Sequence, residues 1–485
     1  MGEVLCIYCE DPHASWERHA TWLKEEEDRH LLFLHDEDAF PSLSLLTDPQ
    51  LHFLSLRADD ELIKGKLWEL LFLSITYHAD ECKRDKAEEM FARIENLRAG
   101  IHLVASDYRD MGQGVLANLL RNFLLLSHAK EGSKLFEEFR GVPALICGAG
   151  PSLEKSLDEI RAWENRALLF AGGAALNTLS RFSIVPDFTA ALDPHPLPER
   201  FSEIGCFAAP LFFQSRVATG RFSHVQGDSL WIAGNGGHPL ESWMATEVGL
   251  TSDVFDAGWN VATFCAALAR AMGCNPIIFV GLELSTQTEK VYAPGLDETI
   301  GKEFAPTLDV AGKKVYTKPD WQMAEKWLNQ FVQDNVDHLF LNATEGGVAL
   351  SSIPRLSLAE ARERYGRKMR DLKGQVHSKV ATLQHAASSA RLLEVKENVQ
   401  KSFKRCEELC IRLFTLFEKS YAGLPGMMGE RALCEVELEG EIAYTTFLAP
   451  LWEIWRPLFL RQASMDRDLH RLLFFKRVFD EQRCV

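Results

Sequence analysis

At 485 residues the chain is long enough for two to four domains of about 100–200 residues each, and its 46% hydrophobic and 25% charged residues suit a globular protein with a sizeable core. A formal net charge of −16 argues against non-specific nucleic-acid binding, which needs a dense positive surface. The 11 cysteines are odd in number and scattered, so they read as reduced thiols of a cytoplasmic protein rather than as disulfide staples.

The first residues, Met1-Gly-Glu-Val-Leu-Cys6, lack the basic flank and apolar length of a signal peptide, and Cys6 stands where N-myristoylation wants Ser or Thr. Short apolar runs at Val4–Tyr8, Leu31–His35 and Leu51–Leu56 alternate with helix-like stretches, Ala14–Arg29 and Asp60–Tyr77, which predicts a small α/β unit over residues 1–141. Cys6 and Cys9 form a CxxC inside a strand-like run with no second pair, and Asp36-Glu37-Asp38 reads as a solvated loop. Two further helices are expected, Arg84–Arg98 and Gly112–His128. The apolar run Leu116–Leu126 is broken by Asn118, Arg121 and Asn122 and falls short of the roughly 20 residues of a membrane span, so it reads as a buried helix.

Residues 142–356 carry the chemistry. In Pro143-Ala-Leu-Ile-Cys-Gly-Ala-Gly-Pro-Ser-Leu153 an apolar strand turns through Gly148 and Gly150 into Pro151, Ser152 and a helical stretch to Trp163. Backbone N–H groups at such a turn suit a phosphate, and Gly148, Gly150 and Ser152 are the expected donors. The loop lacks the third glycine of a dinucleotide fingerprint and the Gly-Lys-Ser/Thr of a P-loop, which excludes an ordinary NAD site and a Walker NTPase.

More strands follow at Ala167–Ala171, Phe188–Leu192, Leu230–Ala233 and Pro276–Val280, and the helix Val261–Met272 comes after Gly258. These strands end in Gly172-Gly173, in Asp193-Pro-His195, in Gly234-Asn-Gly-Gly-His238, and in Gly281-Leu-Glu-Leu-Ser285. Ligands bind beyond the carboxyl ends of parallel strands, so a polar, glycine-bearing series of strand ends predicts a ligand cleft. Asp193 is the expected metal-binding carboxylate, and His195 or His238 is the expected base for an acceptor hydroxyl. The aperiodic stretch Ser285–Lys314, with Lys290 and Tyr292, reads as a lid or as a surface excursion, and a further strand is expected at Val336–Leu341.

These pieces resemble the domain shared by Maf-type motility-associated glycosyltransferases and MptE-like pterin diphosphokinases. The resemblance rests on Pro143–Leu153, Leu176-Asn177 through Phe188, Ala191-Leu-Asp-Pro194, Gly258 with Val261-Ala262, Gly273–Gly281, and Asn342-Ala-Thr-Glu-Gly-Gly347. It covers a little under half of the chain. It implies a Rossmann-like, sialyltransferase-type central domain. Two activities follow from it as expectations: transfer of a CMP-activated nonulosonic acid to a hydroxyl, including Ser or Thr of a protein acceptor, or diphosphate transfer from ATP to a hydroxymethylpterin with Mg²⁺. Either needs a nucleotide-activated donor, and Asn177, Asn235 and Thr344 are the family positions expected at its base and ribose, with Gly258 also in the cofactor-binding set. The chain has Leu282-Glu283-Leu284 where many Maf-type relatives have Gln-Asp-Leu. Glu283 keeps the carboxylate but lengthens it by one methylene, which moves a hydrogen bond or metal contact.

Residues 357–485 are nearly all helix-compatible, broken at Leu424-Pro-Gly426, and are expected to form a helical C-terminal domain. Arg364, Arg367, Lys368, Arg370 and Lys373 make a basic run, read as a solvated helix face or as a docking face for an acidic acceptor protein. Trp452, Trp455, Phe459 and Phe474-Phe475 read as core between helices. The composite expectation is an α/β transferase of three consecutive parts; a scaffold of the same fold without catalysis is the reading left if Glu283 has cost the site its chemistry.

Overall fold

Strands that are apolar from end to end need cover on both faces, and parallel sheets with helical crossovers provide it. The computed structural model describes residues 2–8, 12–26, 28–35, 48, 50–55, 57–79, 84–194, 208–219, 226–234, 239–250, 254–287, 304–421, 427–461, 471 and 474–476. Among these residues the chain divides into two units, Met1–Gly112 with Lys401–Val485, and Gln113–Gln400. The unit boundaries fall inside two long helices, Arg84–Leu124 and Ser389–Tyr421.

The first unit holds a parallel sheet of β1 (Glu3–Tyr8), β2 (Arg29–His35), β3 (Leu51–Ser55) and β4 (Ser74–Ala79), in the order β3-β2-β1-β4. The helix expected over Asp60–Tyr77 ends at Glu69: Phe72 turns with a φ of 66°, and Ile75-Thr76-Tyr77, good strand formers, enter β4 instead. The two helices expected between Arg84 and His128 are one, Arg84–Leu124, because Gly100 and Gly112 are tolerated within it. Ile454 and Trp455 pack into the same core as Cys6, Leu67, Met90 and Ile94, and Trp68 Nε1 donates to the Glu453 carbonyl at 3.2 Å. The C-terminal helices therefore complete the N-terminal core. Trp452 and Trp455 meet Phe474 ring to ring, as the aromatic pattern predicts. The units thus differ from the three consecutive stretches expected, because an apolar helix stripe does not say what covers it.

The second unit is built on β5 (Lys130–Glu131), β6 (Ala144–Cys147), β7 (Leu168–Gly172), β8 (Phe188–Ala191), β9 (Leu211–Phe213), β10 (Ser229–Trp231), β11 (Ile277–Val280) and β14 (Phe340–Asn342), with a separate antiparallel hairpin of β12 (Ala305–Leu308) and β13 (Lys314–Thr317). The eight strands are parallel and ordered β14-β11-β6-β7-β8-β9-β10-β5. Their alternation sorts the core. Ala144, Ile146, Leu168, Phe170, Ile277 and Phe279 pack on one face with the helix Val261–Ala271 and with Leu328 and Val376. Leu145, Cys147, Leu169, Ala171, Ile278 and Val280 pack on the other with Leu157, Leu176 and Leu358. The helical stretch expected to Trp163 is two short helices, Ser152–Lys155 and Leu157–Ala162. The basic run is not one helix face. A helix ends at Tyr365 and the next begins at Leu372, Lys373 pairs with Glu164 at 2.7 Å, and Arg367 Nε donates to the Glu363 carbonyl.

Asp187, just before β8, accepts the Leu169 N–H at 2.8 Å, and burial pushes its carboxyl up to about 6. A carboxyl so raised holds its proton in the folded chain where the unfolded chain has lost it, so it costs stability as pH rises from about 4 to about 6. Denaturant titrations from pH 4 to 7 should show that component in the wild type and lack it in Asp187→Asn; superposable pH profiles would remove Asp187 as its source.

Candidate functional site

The chain leaves β6 for β7, β8, β9 and β10 on one side, then returns to place β11 and β14 on the other. The switch point lies between β6 and β11, and their carboxyl ends open the crevice where ligands bind in such sheets. Three strand-end segments are tied together there. Gly148 N donates to the Val280 carbonyl and Gly150 N to the Gly281 carbonyl, each at 2.8 Å. Leu282 N donates to Thr344 Oγ1 at 3.0 Å, and Val348 N to the Glu283 carbonyl at 2.9 Å.

Glu283 sits at the centre of this knot. Ser152 N donates to Glu283 Oε1 at 2.6 Å, while Glu283 Oε2 and Ser152 Oγ are buried without a hydrogen-bond partner. A Cβ on Gly150 would fall 1.8 Å from Glu283 Oε2, and one on Gly148 would fall 2.3 Å from the Gly281 carbonyl oxygen. The glycines are therefore needed for close contact with β11 and its carboxylate.

This corrects the phosphate cradle expected from the loop. The amides of Gly148, Gly150 and Ser152 are all engaged inside the chain, and the third by a carboxylate that would repel a phosphate. Burial pushes the Glu283 carboxyl above its ordinary range, with the Ser152 N–H and the Ser152 hydroxyl pulling against it. Glu283 Oε2 and Ser152 Oγ form a buried oxygen pair below the crevice, whose chemistry suits a hydroxyl rather than an anion.

The other expected residues divide. Thr344 lies at the switch point, its hydroxyl holding Leu282 N. Pro151 opens the turn before the helix Ser152–Lys155. Asn177 is fully buried within the helix Ala174–Arg181. Gly258 adopts a φ of 67° and leaves room for Thr263, whose hydroxyl and backbone form the capping box of Val261–Ala271 with Asn260; that glycine serves the helix entry. Asp193 follows β8, and its carbonyl accepts the Ala218 N–H at 3.2 Å. His195, Asn235, His238, Lys290 and Tyr292 lie outside the described residues. Among the described residues no three His, Cys, Asp or Glu side chains converge on a point that could hold a metal.

A second cluster at the carboxyl edge was not anticipated. β8 and β9 pair Ala191 with Phe213, which brings Asp193 level with Ser215. Asn122, fully buried, donates to the carbonyls of Ser215 and Val217, and Asn118 donates to those of Pro194 and Arg216. Glu241 accepts the Ser215 N–H at 3.2 Å. Two asparagines four residues apart in an apolar helix were the signal: on one helical face, such a pair is there to meet backbone.

Comparison with known proteins bears on the central region. Residues 117–289 match the family model described as 6-hydroxymethylpterin diphosphokinase MptE-like, so the family resemblance reaches upstream of residue 142 and takes in Asn118 and Asn122. Comparison with curated proteins finds no match. Among solved structures, a Maf glycosyltransferase from Magnetospirillum magneticum AMB-1 is similar over 99% of this chain and 78% of its own, at 14% identity and a TM-score of 0.59. The fold is thus of the kind the motifs imply, a Rossmann-like domain with helical and α/β additions. Among the described residues no helix is long and apolar enough to cross a membrane.

Proposed function

We propose, from a central region that matches the MptE-like family and a fold shared with a Maf glycosyltransferase, that this chain is a transferase using a nucleotide-activated donor. The reaction it fits best moves a CMP-activated nonulosonic acid to a hydroxyl, with a protein Ser or Thr as the acceptor class. The observation that carries this reading is the pair of buried oxygens, Glu283 Oε2 and Ser152 Oγ, at the switch point of the sheet. Those oxygens suit the ribose hydroxyls of a nucleoside, and the anionic part of the donor then lies away from Glu283, along the strand ends toward β8 and β9. His195 or His238 takes the acceptor proton, and Asp193 stands two residues before the first of them in the chain. A metal, where one is used, neutralises charge on the leaving phosphate.

The match over residues 117–289 favours a second reading, diphosphate transfer from ATP to a hydroxymethylpterin. Thermal shift with CMP, CMP-N-acetylneuraminate, UDP, GDP and ATP, each with and without Mg²⁺, separates the two. A ligand at about a hundred times its Kd adds about 2.7 kcal/mol of stability. Selective stabilisation by the cytidine compounds is the expected result. Stabilisation by ATP with Mg²⁺ alone would replace it with diphosphotransfer, and no response to any of them would leave a scaffold.

A further inference from the structure

The chain carries a net charge of −16, yet Arg216, in the loop after β9, has no ion pair or side-chain hydrogen bond among the described residues. Its Nε is buried without an acceptor, as is Thr219 Oγ1 three residues on, while Asn122 Oδ1 is buried without a donor. A buried unsatisfied polar group is costly, and more so when it is charged. The backbone that carries Arg216 is meanwhile held with care: Asn122 takes the carbonyls of Ser215 and Val217, and Asn118 takes that of Arg216 itself. Two buried asparagines thus fix three consecutive carbonyls around one unpaired arginine. That is the arrangement of a binding group set in place before its ligand arrives.

We infer that Arg216, with Thr219, forms an oxyanion subsite that takes the carboxylate of the donor's sugar acid. The assignment to a donor rests on the transferase reading above. Its position fits: β9 lies three strand spacings from β6, about 14 Å across the carboxyl edge, the length scale of an extended nucleotide sugar. A guanidinium presents a planar fork that matches a carboxylate with two parallel hydrogen bonds.

Calorimetric titration of the full chain tests this with CMP, CMP-N-acetylneuraminate and free N-acetylneuraminate, for wild type, Arg216→Met, Arg216→Lys and Thr219→Val. The expected result is at least a tenfold loss of affinity for CMP-N-acetylneuraminate in Arg216→Met, a smaller loss in Arg216→Lys and Thr219→Val, and unchanged affinity for CMP. Without ligand, Arg216→Met should melt at or above the wild-type temperature, because it removes an unpaired charge; a purely structural arginine would lower it. Unchanged affinity for the sugar nucleotide in Arg216→Met would overturn the subsite. An equal loss for CMP would give Arg216 to the phosphate and overturn the carboxylate assignment. If wild type binds neither cytidine ligand, the donor reading fails by itself. Free N-acetylneuraminate then decides the subsite: binding that requires Arg216 upholds it, and no binding overturns it.

Discussion

Gly150→Val should destabilise the folded chain by about 2–4 kcal/mol or more, before any ligand is added. The first carbon of the new side chain would stand 1.8 Å from Glu283 Oε2, 2.5 Å from Glu283 Cδ and 2.9 Å from the Gly281 carbonyl oxygen. Overpacking of a close contact typically costs about 1–3 kcal/mol, and here the obstacle is a carboxylate anchored by Ser152 N, so the loop must move and give up that bond as well. A double-mutant cycle with Gly150→Ala and Glu283→Ala isolates the contact. Gly150→Ala should cost much less in the Glu283→Ala background than in wild type, with a coupling above about 1 kcal/mol. The relief stays partial, because the Gly281 carbonyl is still close. Additive costs, measured by urea denaturation, would mean that Gly150 is needed for some reason other than Glu283.

Glu283→Gln should stabilise the chain as pH rises above the ordinary carboxyl range while leaving it near wild type below that range. The glutamine carbonyl can still accept the Ser152 N–H, and the side chain carries no charge to desolvate. Because burial raises the Glu283 carboxyl, the folded wild type keeps a proton there at pH values where the unfolded chain has released it, and wild-type stability falls as pH rises through that interval. The variant lacks this slope, so the two melting curves should coincide at low pH and separate as pH rises. The same substitution tests the crevice chemistry. If Oε2 accepts a ribose hydroxyl, the amide that replaces it offers a donor in its place, and CMP affinity should drop. Parallel pH profiles with unaltered CMP affinity would return Glu283 to a purely structural role.

Much of the central domain was legible because buried parallel strands are written as unbroken apolar runs. Ala144–Cys147 and Ile277–Val280 needed no context to be recognised, and the polar residues after them marked the ligand-binding edge. β9 escaped notice: Leu211-Phe-Phe213 is too short a run to announce a strand, and with it Arg216 lost its address at a strand end. Glu283 stood out as a departure from the family pattern, but its partner could not be read, since Ser152 is 131 residues away in sequence and the bond depends on β6 and β11 being neighbours. Proximity across a switch point is a property of strand order, which local pattern does not encode. The same limit misled the reading of Asp60–Tyr77, where the strand pairing of Ser74–Ala79 with β1 outweighs the apolar spacing that resembles a helix.

The first unit draws on both ends of the chain, Met1–Gly112 and Lys401–Val485, and its core includes Ile454. That arrangement has a consequence for synthesis. At about 5–20 residues per second, a ribosome that has finished the first piece needs roughly 15–60 s to reach the second. For that time Leu67, Met90 and Ile94 have made part of a core whose cover has yet to be translated, whereas Gln113–Gln400 emerges as one uninterrupted stretch. The inserted unit is free to fold first, and the N-terminal sheet is the part of the nascent chain that waits with apolar surface exposed until residues 401–485 have been made.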